Sequence, residues 1–419
     1  MLVLLALAFV LAFIGAWRSG SHSAGIDFYQ FWAAGRAVRT MEVGNVYAEE
    51  ERARIGAEFL RRAEAKDGAQ REQAAARFRE VLPTYHSPLM YTAFGLLLTS
   101  DYETDFTRYQ HACLLLAVGG VLLLARLLRY PRLPVLAFLV VFLTWFEPLR
   151  SDLRAGNVSQ LQLAMLALFL WNQSRRRSTA RDLRGGAILG FAVIFKASTV
   201  IVVGTLGLSW LLARDFRKVR DQCLGMALGA GIGLAATGAY FGSMQVWIDF
   251  LGIFPPPDRI FPFSEGNFAP DAQIFAASGV HVAPLLTSIL VPITGVLIWR
   301  GMGRLKESLP EDLAAAALGC QFMLLASPVA WVHYHLLCIP AFLIALRAPR
   351  GGKGAPARQA LAAAALLPLA ASPLLARFWV EQPHGLAIAV TAGMLALFAL
   401  VAWELQPDAP RTGAQGAGS

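Results

Sequence analysis

A chain of 419 residues that is 56% hydrophobic and 16% charged, with a mean hydropathy of +0.51, excludes an ordinary soluble domain. Its net charge of +9 does not point to nucleic acid, because the basic residues cluster in short loops between apolar runs. Runs of membrane-spanning character recur from end to end, and alternating segments are too few for a barrel, so the expected class is all-α: a polytopic integral membrane protein.

Met1 to Trp17 reads as a retained first helix, with no basic n-region and no small-residue cleavage site behind it. With a cytoplasmic N-terminus, the next stretch lies outside. It is Gly25-Ile-Asp-Phe-Tyr-Gln-Phe-Trp-Ala-Ala-Gly35, and it carries Asp27, the first carboxylate of the chain. An acid just beyond a membrane helix, beside Tyr29 and Trp32, marks a candidate site at the membrane surface, although an Asp there also suits a helix cap. Residues 26–39 are expected to form a short surface helix with its aromatics at the interface.

Residues 48–82 are rich in charge and helix formers. They predict one or two amphipathic helices broken near Asp67-Gly68, lying on the membrane or solvated. Tyr85-His86-Ser-Pro88 then opens a short run to Leu98, expected to be short or re-entrant, with Pro88 in the first helical turn. Further hydrophobic segments are expected at 109–127, 133–147, 158–172, 186–212, 223–241, 284–299, 313–327, 334–347, 359–375 and 386–403. The run 186–212 contains Lys196 and has basic residues at both ends, so it predicts two short passes turning near that lysine. The stretch 242–283, with its Phe254-Pro-Pro-Pro, is expected to be a second large external loop with extended backbone. The tail 404–419 reads as disordered and cytoplasmic. Together with external loops at 18–84 and 242–283, the pattern gives about 12 crossings in one membrane domain over 1–403.

Basic clusters at Arg175–Arg177, Arg214–Arg220, Arg300–Lys306 and Arg347–Lys353 set the cytoplasmic side. Cys113, Cys223, Cys320 and Cys338 lie in apolar context without a C-x-x-C and read as small buried side chains. On this topology the unexpected polar groups fall together on the other side: Asp27, Tyr85, His86, Arg154, Asn157, Gln160, Lys196, Trp331, His333 and His335, with Arg259, Glu265 and Asn267 in the second loop. Each has a plainer role open to it. Lys196 suits snorkelling, Arg154 a cap or a pair with Asp152, His86 an interface, and Trp331 an aromatic belt. His333 and His335 are two apart, which gives no shared helical face, and no metal motif accompanies them. One acid, aromatics and several cations suit an anionic, lipid-linked phosphate substrate, with the acid as general base for an acceptor hydroxyl.

The ordered pieces resemble the polyprenyl-phosphate-sugar-dependent glycosyltransferases of family 87, in the GT-C superfamily. They are Asp27-Phe-Tyr-Gln-Phe31-Trp-Ala33, Asn45-Val-Tyr47, Tyr85-His-Ser-Pro88, Gly156-Asn-Val-Ser159, Phe195-Lys196, Gly266-Asn-Phe-Ala269 and Ser327-Pro-Val-Ala-Trp331-Val-His333. Asn157 stands where Gln is commoner, Ala269 where Ser is, and no proline follows Lys196. The resemblance covers about residues 1–347. It implies a GT-C fold and inverting transfer of a sugar, mannose or a relative of it, from a polyprenyl-phosphate donor to a hydroxyl of a lipid-linked glycan. That places the chemistry at the external face of the plasma membrane. Asp27 would be the base; Lys196, Arg154, His333 and Arg259 would hold the donor phosphate. Tyr29, Trp32, Tyr85, His86, Asn157, Gln160, Glu265, Asn267, Trp331 and His335 would meet sugar or acceptor. No Asp-x-Asp follows the first helix, so no metal or cofactor is expected. The alternative is a lipid or small-molecule transporter or flippase, which broken helices and buried charges also suit.

Overall fold

A computed structural model describes residues 1–253, 266–308, 311–347, 355–372, 374–375, 377 and 381–405. Among these there are helices and turns, with only two isolated β-bridges, Phe146 to Ala370 and Asn267 to Trp331.

Helix α1 (Leu2–Ser21) leads through a turn at Gly25 into α2 (Ile26–Thr40). The charged insert folds as α3 (Glu49–Glu64) and α4 (Gln70–Phe78), and the break between them contains Gly68 at φ +77°. Next come α5 (Pro88–Leu97), α6 (Tyr102–Leu127), α7 (Arg132–Trp145), α8 (Glu147–Ala155) and α9 (Ser159–Gln173). The expected turn at Lys196 is present: α10 (Thr179–Phe195) stops there and α11 (Thr199–Leu212) begins after it. After α12 (Phe216–Phe241) the stretch 242–283 is less open than expected, since it holds α13 (Gln245–Gly252) and α14 (Pro270–Ser278). The three prolines, Arg259 and Glu265 lie outside the described residues. Then follow α15 (Ala283–Ser308), α16 (Glu311–Ala326), a 3-10 turn at Val332–Cys338, α17 (Ile339–Leu346), α18 (Ala355–Leu366) and α19 (Pro383–Glu404). The tail from residue 406 is not among the described residues.

Among the described residues, five helices are long and apolar enough to cross a membrane: α1, α6, α12, α15 (over Ala283–Gly301) and α19. This is the architecture of an all-helical integral membrane protein. Against the expected count of about 12 crossings, the other apolar helices are short, among them α5, α7 and α11. A helix rises about 1.5 Å per residue, so the ten residues of α5 cover about half of a hydrocarbon core.

The larger core is built mainly from α6, α7, α9, α16, α17 and α19 around residues such as Leu114, Phe142, Phe169, Leu318 and Val390. A second core differs in character. Phe28, Tyr29, Phe31 and Trp32 of α2 are buried against Phe59 of α3, Phe94 of α5, and Tyr102 and Phe106 of α6. The aromatics expected at the interface are therefore interior. The cause is the insert: α3 and α4 fold over α2, and aromatic rings give large buried area with favourable edge contacts. The Trp32 indole N–H donates to Asp105 Oδ2 at 3.1 Å, satisfying its one polar atom inside that core.

The basic loops also form their own pairs. Lys218 binds both carboxylate oxygens of Asp312 at 2.8 Å, and the Trp210 indole N–H donates to the same group at 2.7 Å. Arg177 pairs with Asp215 across the loop between α9 and α10 and the one before α12.

Candidate active site

Asp27 sits in the first turn of α2, where free backbone N–H groups favour a carboxylate. The phenol of Tyr102 donates to the carbonyls of Ala24 (2.5 Å) and Gly25 (3.0 Å) and so anchors the turn before it. The carboxylate is held from two sides. Its Oδ1 accepts Nη2 of Arg79 at 2.9 Å, and its Oδ2 accepts Nδ2 of Asn157 at 2.8 Å. Thirteen per cent of the Asp27 side chain remains accessible, enough for an incoming group to reach it.

Asn157 is oriented by its own neighbours. The Val158 N–H donates to its Oδ1 at 2.7 Å, which leaves the amide N–H₂ turned toward Asp27. Its carbonyl accepts the Tyr109 hydroxyl at 2.6 Å. Gly156 makes this approach possible. It has φ +70°, and a Cβ there would lie 2.5 Å from the Cβ of Phe28. Only glycine allows the α8–α9 turn to reach α2 so closely.

The second half of the site forms where α10 ends. Ser87 Oγ donates to the carbonyl of Phe195 at 2.9 Å, pinning the loop before α5 against the end of α10. His86 and Lys196 are thereby neighbours: Lys196 Nζ lies 3.5 Å from His86 Nε2. It also donates to the Tyr334 hydroxyl at 3.0 Å and lies 4.6 Å from that ring's centre. His86 is fixed through its backbone, which donates to the Tyr91 hydroxyl and accepts from that of Tyr47. Its ring meets the edge of Phe31 at 4.7 Å.

These two halves are electrostatically joined. His333 feels the charges of both Asp27 and Lys196, and His86 feels Lys196, Arg79 and His333. Burial, followed by the Lys196 and Arg79 cations, holds His86 well below the ordinary histidine range, so it is neutral at pH 7. His86 Nδ1 and His333 Nε2 are both buried without a hydrogen-bond partner. Orphaned buried polar atoms are rare, and here two lie in one cluster of charged groups. The arrangement offers a positioned base on one side and, on the other, cations and imidazoles able to hold an anion. Among the described residues no three His, Cys, Asp or Glu side chains come together as metal ligands.

Of the residues expected from sequence, Asp27, His86, Asn157, Lys196 and His333 are brought together. The others are placed differently. Tyr29 and Trp32 are interior packing residues. Tyr85 is exposed under the Arg52 guanidinium, 5.2 Å from its ring centre. Arg154 pairs with Glu147 rather than with Asp152. Asp152 instead accepts the backbone N–H groups of Ser159 and Gln160, each at 3.3 Å, at the start of α9. The Gln160 side chain also bonds to this carboxylate. Asn267 is spent on backbone: it donates to the Pro328 carbonyl at 3.1 Å and accepts from Ala269 and Ala330. It clasps the loop before α14 to the 327–331 segment, where Trp331 faces it across the bridge. His335 Nδ1 lies 3.2 Å from the carbonyls of Trp331 and Val332 within its own turn. Arg259 and Glu265 are outside the described residues. Sequence reasoning missed Arg79 and Tyr334. Tyr334 directly follows His333 in a quoted motif; Arg79 carries no local signal.

A curated relative, the polyprenol-phosphate-mannose-dependent alpha-(1-2)-phosphatidylinositol pentamannoside mannosyltransferase of Mycolicibacterium smegmatis, is 26% identical over 211 residues. That alignment spans 49% of this chain and 46% of the relative, so the chain matches about half the relative's length. No solved structure matches the chain significantly. The profile of glycosyltransferase family 87 matches residues 85–328, a span that includes His86, Asn157 and Lys196 and is more than half of the sequence. The chain belongs to glycosyltransferase family 87.

Proposed function

We propose that this protein transfers a sugar, mannose first among candidates, from a polyprenyl-phosphate donor to a hydroxyl of a lipid-linked glycan, with inversion at the sugar C1. The donor class follows that of the mycobacterial mannosyltransferase to which the chain is similar. The observation that carries the reading is a single carboxylate, Asp27, held by Asn157 and Arg79 and electrostatically linked to a cationic cluster with unsatisfied imidazole nitrogens.

Asp27 takes the proton of the acceptor hydroxyl as its oxygen bonds to C1. The bond between C1 and the phosphate oxygen breaks, and its electron pair leaves with polyprenyl phosphate. A phosphate leaving group is already a stable anion, so no second carboxylic acid is required, in contrast to glycosidases with their paired carboxylates. Lys196, aligned by Tyr334 and His86, meets the growing charge on that phosphate, with His333 beside it. Fixed donors in a site shielded from water stabilise such charge without reorganising. Neither Arg154, paired to Glu147, nor Asn267, bound to backbone, is needed for this scheme. In this reading the site lies on the external face of the plasma membrane, and the basic loops support that side through the positive-inside pattern.

The test is Asp27→Asn in purified protein. The amide keeps the size and can still bind Asn157, but it accepts no proton. Transfer should fall by about 10²–10⁴-fold, the usual share of a general base, while donor binding persists. Turnover at the wild-type rate in a folded variant would refute the assignment.

A further inference from the structure

The charged insert has a task in the site: we propose that α3 and α4 are a chassis for Arg79, whose guanidinium positions the Asp27 carboxylate. This inference rests on the reading of Asp27 given above and extends it to the insert.

Arg79 follows the last residue of α4. Its Nη2 donates to Asp27 Oδ1 at 2.9 Å and its Nε to the Ile26 carbonyl at 3.3 Å. One side chain thus binds both the reacting carboxylate and the backbone next to it. The two side chains are 19% and 13% accessible, so the pair is largely shielded from water, where a charge-assisted bond counts for more than at the surface. The insert's exposed pairs, Arg54 with Glu51 and Arg61 with Glu58, stay on the same helix and anchor nothing outside it.

The segment that carries Arg79 is clamped by α3. Gly56 faces it so closely that a Cβ would lie 1.9 Å from the Glu80 carbonyl oxygen and 3.1 Å from that of Arg79. Two residues after Glu80, the Leu82 carbonyl accepts Nε of Arg52 at 2.7 Å, and the Leu82 N–H returns to the Arg52 carbonyl. From below, Arg71 of α4 is tied to Glu103 of α6 and to the Ser21 carbonyl at the end of α1. The start of α4 is therefore fixed to α6 and α1, and the segment after α4 to α3. The result is delivery of one guanidinium to one carboxylate 52 positions away in sequence.

The groups that face Asp27 are few. Arg79 comes from the segment after α4, Asn157 from the turn before α9, His333 from the 3-10 turn and Tyr109 from α6. Arg79 is the cation in direct contact, and beyond His333 stands Lys196. The Asp27 carboxylate is thus fixed through both oxygens, Oδ1 by Arg79 and Oδ2 by Asn157.

The experiment is kcat per folded protein and donor KM, measured separately for Arg79→Gln and Arg79→Lys beside wild type, with Asp27→Asn as reference. Removing the guanidinium leaves Asp27 Oδ1 without the donor that holds it, so kcat should fall by about tenfold or more in Arg79→Gln. Arg79→Lys, which keeps a charged donor, should recover part of that loss. The KM for donor should change much less than kcat. A packing role alone would lower the amount of folded protein and leave kcat per folded protein in place. An Arg79→Gln kcat equal to wild type overturns the inference. If Arg79→Gln does not fold, Gly56→Ala serves: it keeps the guanidinium but pushes the segment bearing it, and kcat should fall in the same way. A Gly56→Ala kcat equal to wild type would then overturn the inference. If Asp27→Asn itself turns over normally, the base assignment falls instead, so the two failures are distinct.

Discussion

Replacing Asn157 with alanine removes a neutral group that holds the Asp27 carboxylate. Two hydrogen bonds go: the 2.8 Å contact to Asp27 Oδ2, and the 2.7 Å contact that the Val158 N–H makes to Asn157 Oδ1. A bond to a charged group is worth about 1.5–3 kcal/mol net, and a buried N–H left alone costs about 1–3 kcal/mol. The first figure bears on catalysis, because the base then turns about its χ angles with only Arg79 to hold it. At about 1.4 kcal/mol per decade this is a loss of about 10- to 150-fold in kcat/KM. The second figure bears on stability and should appear as a lower unfolding temperature in detergent. The assay is steady-state transfer from short-chain polyprenyl-phosphate mannose, with kcat and donor KM determined separately. The loss should fall on kcat, since Asn157 touches the base and not the cationic half of the site. An Asn157→Ala protein with wild-type kcat would refute the claim that this contact aims the carboxylate.

Gly156→Ala should act on the same geometry: its left-handed φ costs about 1–2 kcal/mol for a residue with Cβ, the clash with Phe28 adds to it, and displacement of Asn157 should lower kcat by at least tenfold. A fully active, equally stable alanine variant would contradict the close approach. Lys196→Met should raise donor KM and lower kcat together, because it removes charge from the leaving phosphate; unchanged kinetics would remove Lys196 from the donor site. His86 makes stability depend on pH. Its folded-state pKa is depressed, so below about pH 6.5 the unfolded chain takes up a proton that the folded one refuses, and stability should fall by up to about 1.4 kcal/mol per pH unit. Unfolding measured between pH 5 and 7 should show a shallower slope for His86→Gln, and equal slopes would be evidence against the burial described. Lys218→Met should destabilise by about 3–5 kcal/mol by stranding the Asp312 carboxylate, and the double change with Asp312→Leu should recover much of it; a single variant as stable as wild type would show that the pair carries no weight.

The break at Lys196 was legible because a lysine in an apolar run, with basic residues at both ends, conflicts with one long crossing. The break near Gly68 was legible from turn chemistry alone. That Asp27, His86, Asn157, Lys196 and His333 come together was legible because polar groups near the ends of membrane segments are costly and stand out in an apolar chain. The aromatics of α2 were misread for a physical reason. A Trp beside a membrane helix suits a lipid interface and a protein core equally, and only the fold of the insert over α2 decides. Asn267 was misread in the same way, since a carboxamide that clasps backbone has the same sequence signature as one that binds a sugar. Arg79 was beyond reach: it is one of seven arginines between positions 52 and 79, and its partner is set by a contact 52 residues away. The helices inside 242–283 escaped notice because each is under ten residues, too short for a periodic pattern to stand out.

The most direct test of the central claim is a mass balance. Purified protein is given short-chain polyprenyl-phosphate mannose and a crude lipid-glycan acceptor fraction, and polyprenyl phosphate and mannosylated glycolipid are both quantified. The account predicts equal amounts of the two products, with the sugar anomer inverted and the reaction absent in Asp27→Asn. Donor that stays intact across a panel of polyprenyl-phosphate sugars, while reconstituted protein carries it unchanged across a liposome membrane, would contradict it and favour a transporter.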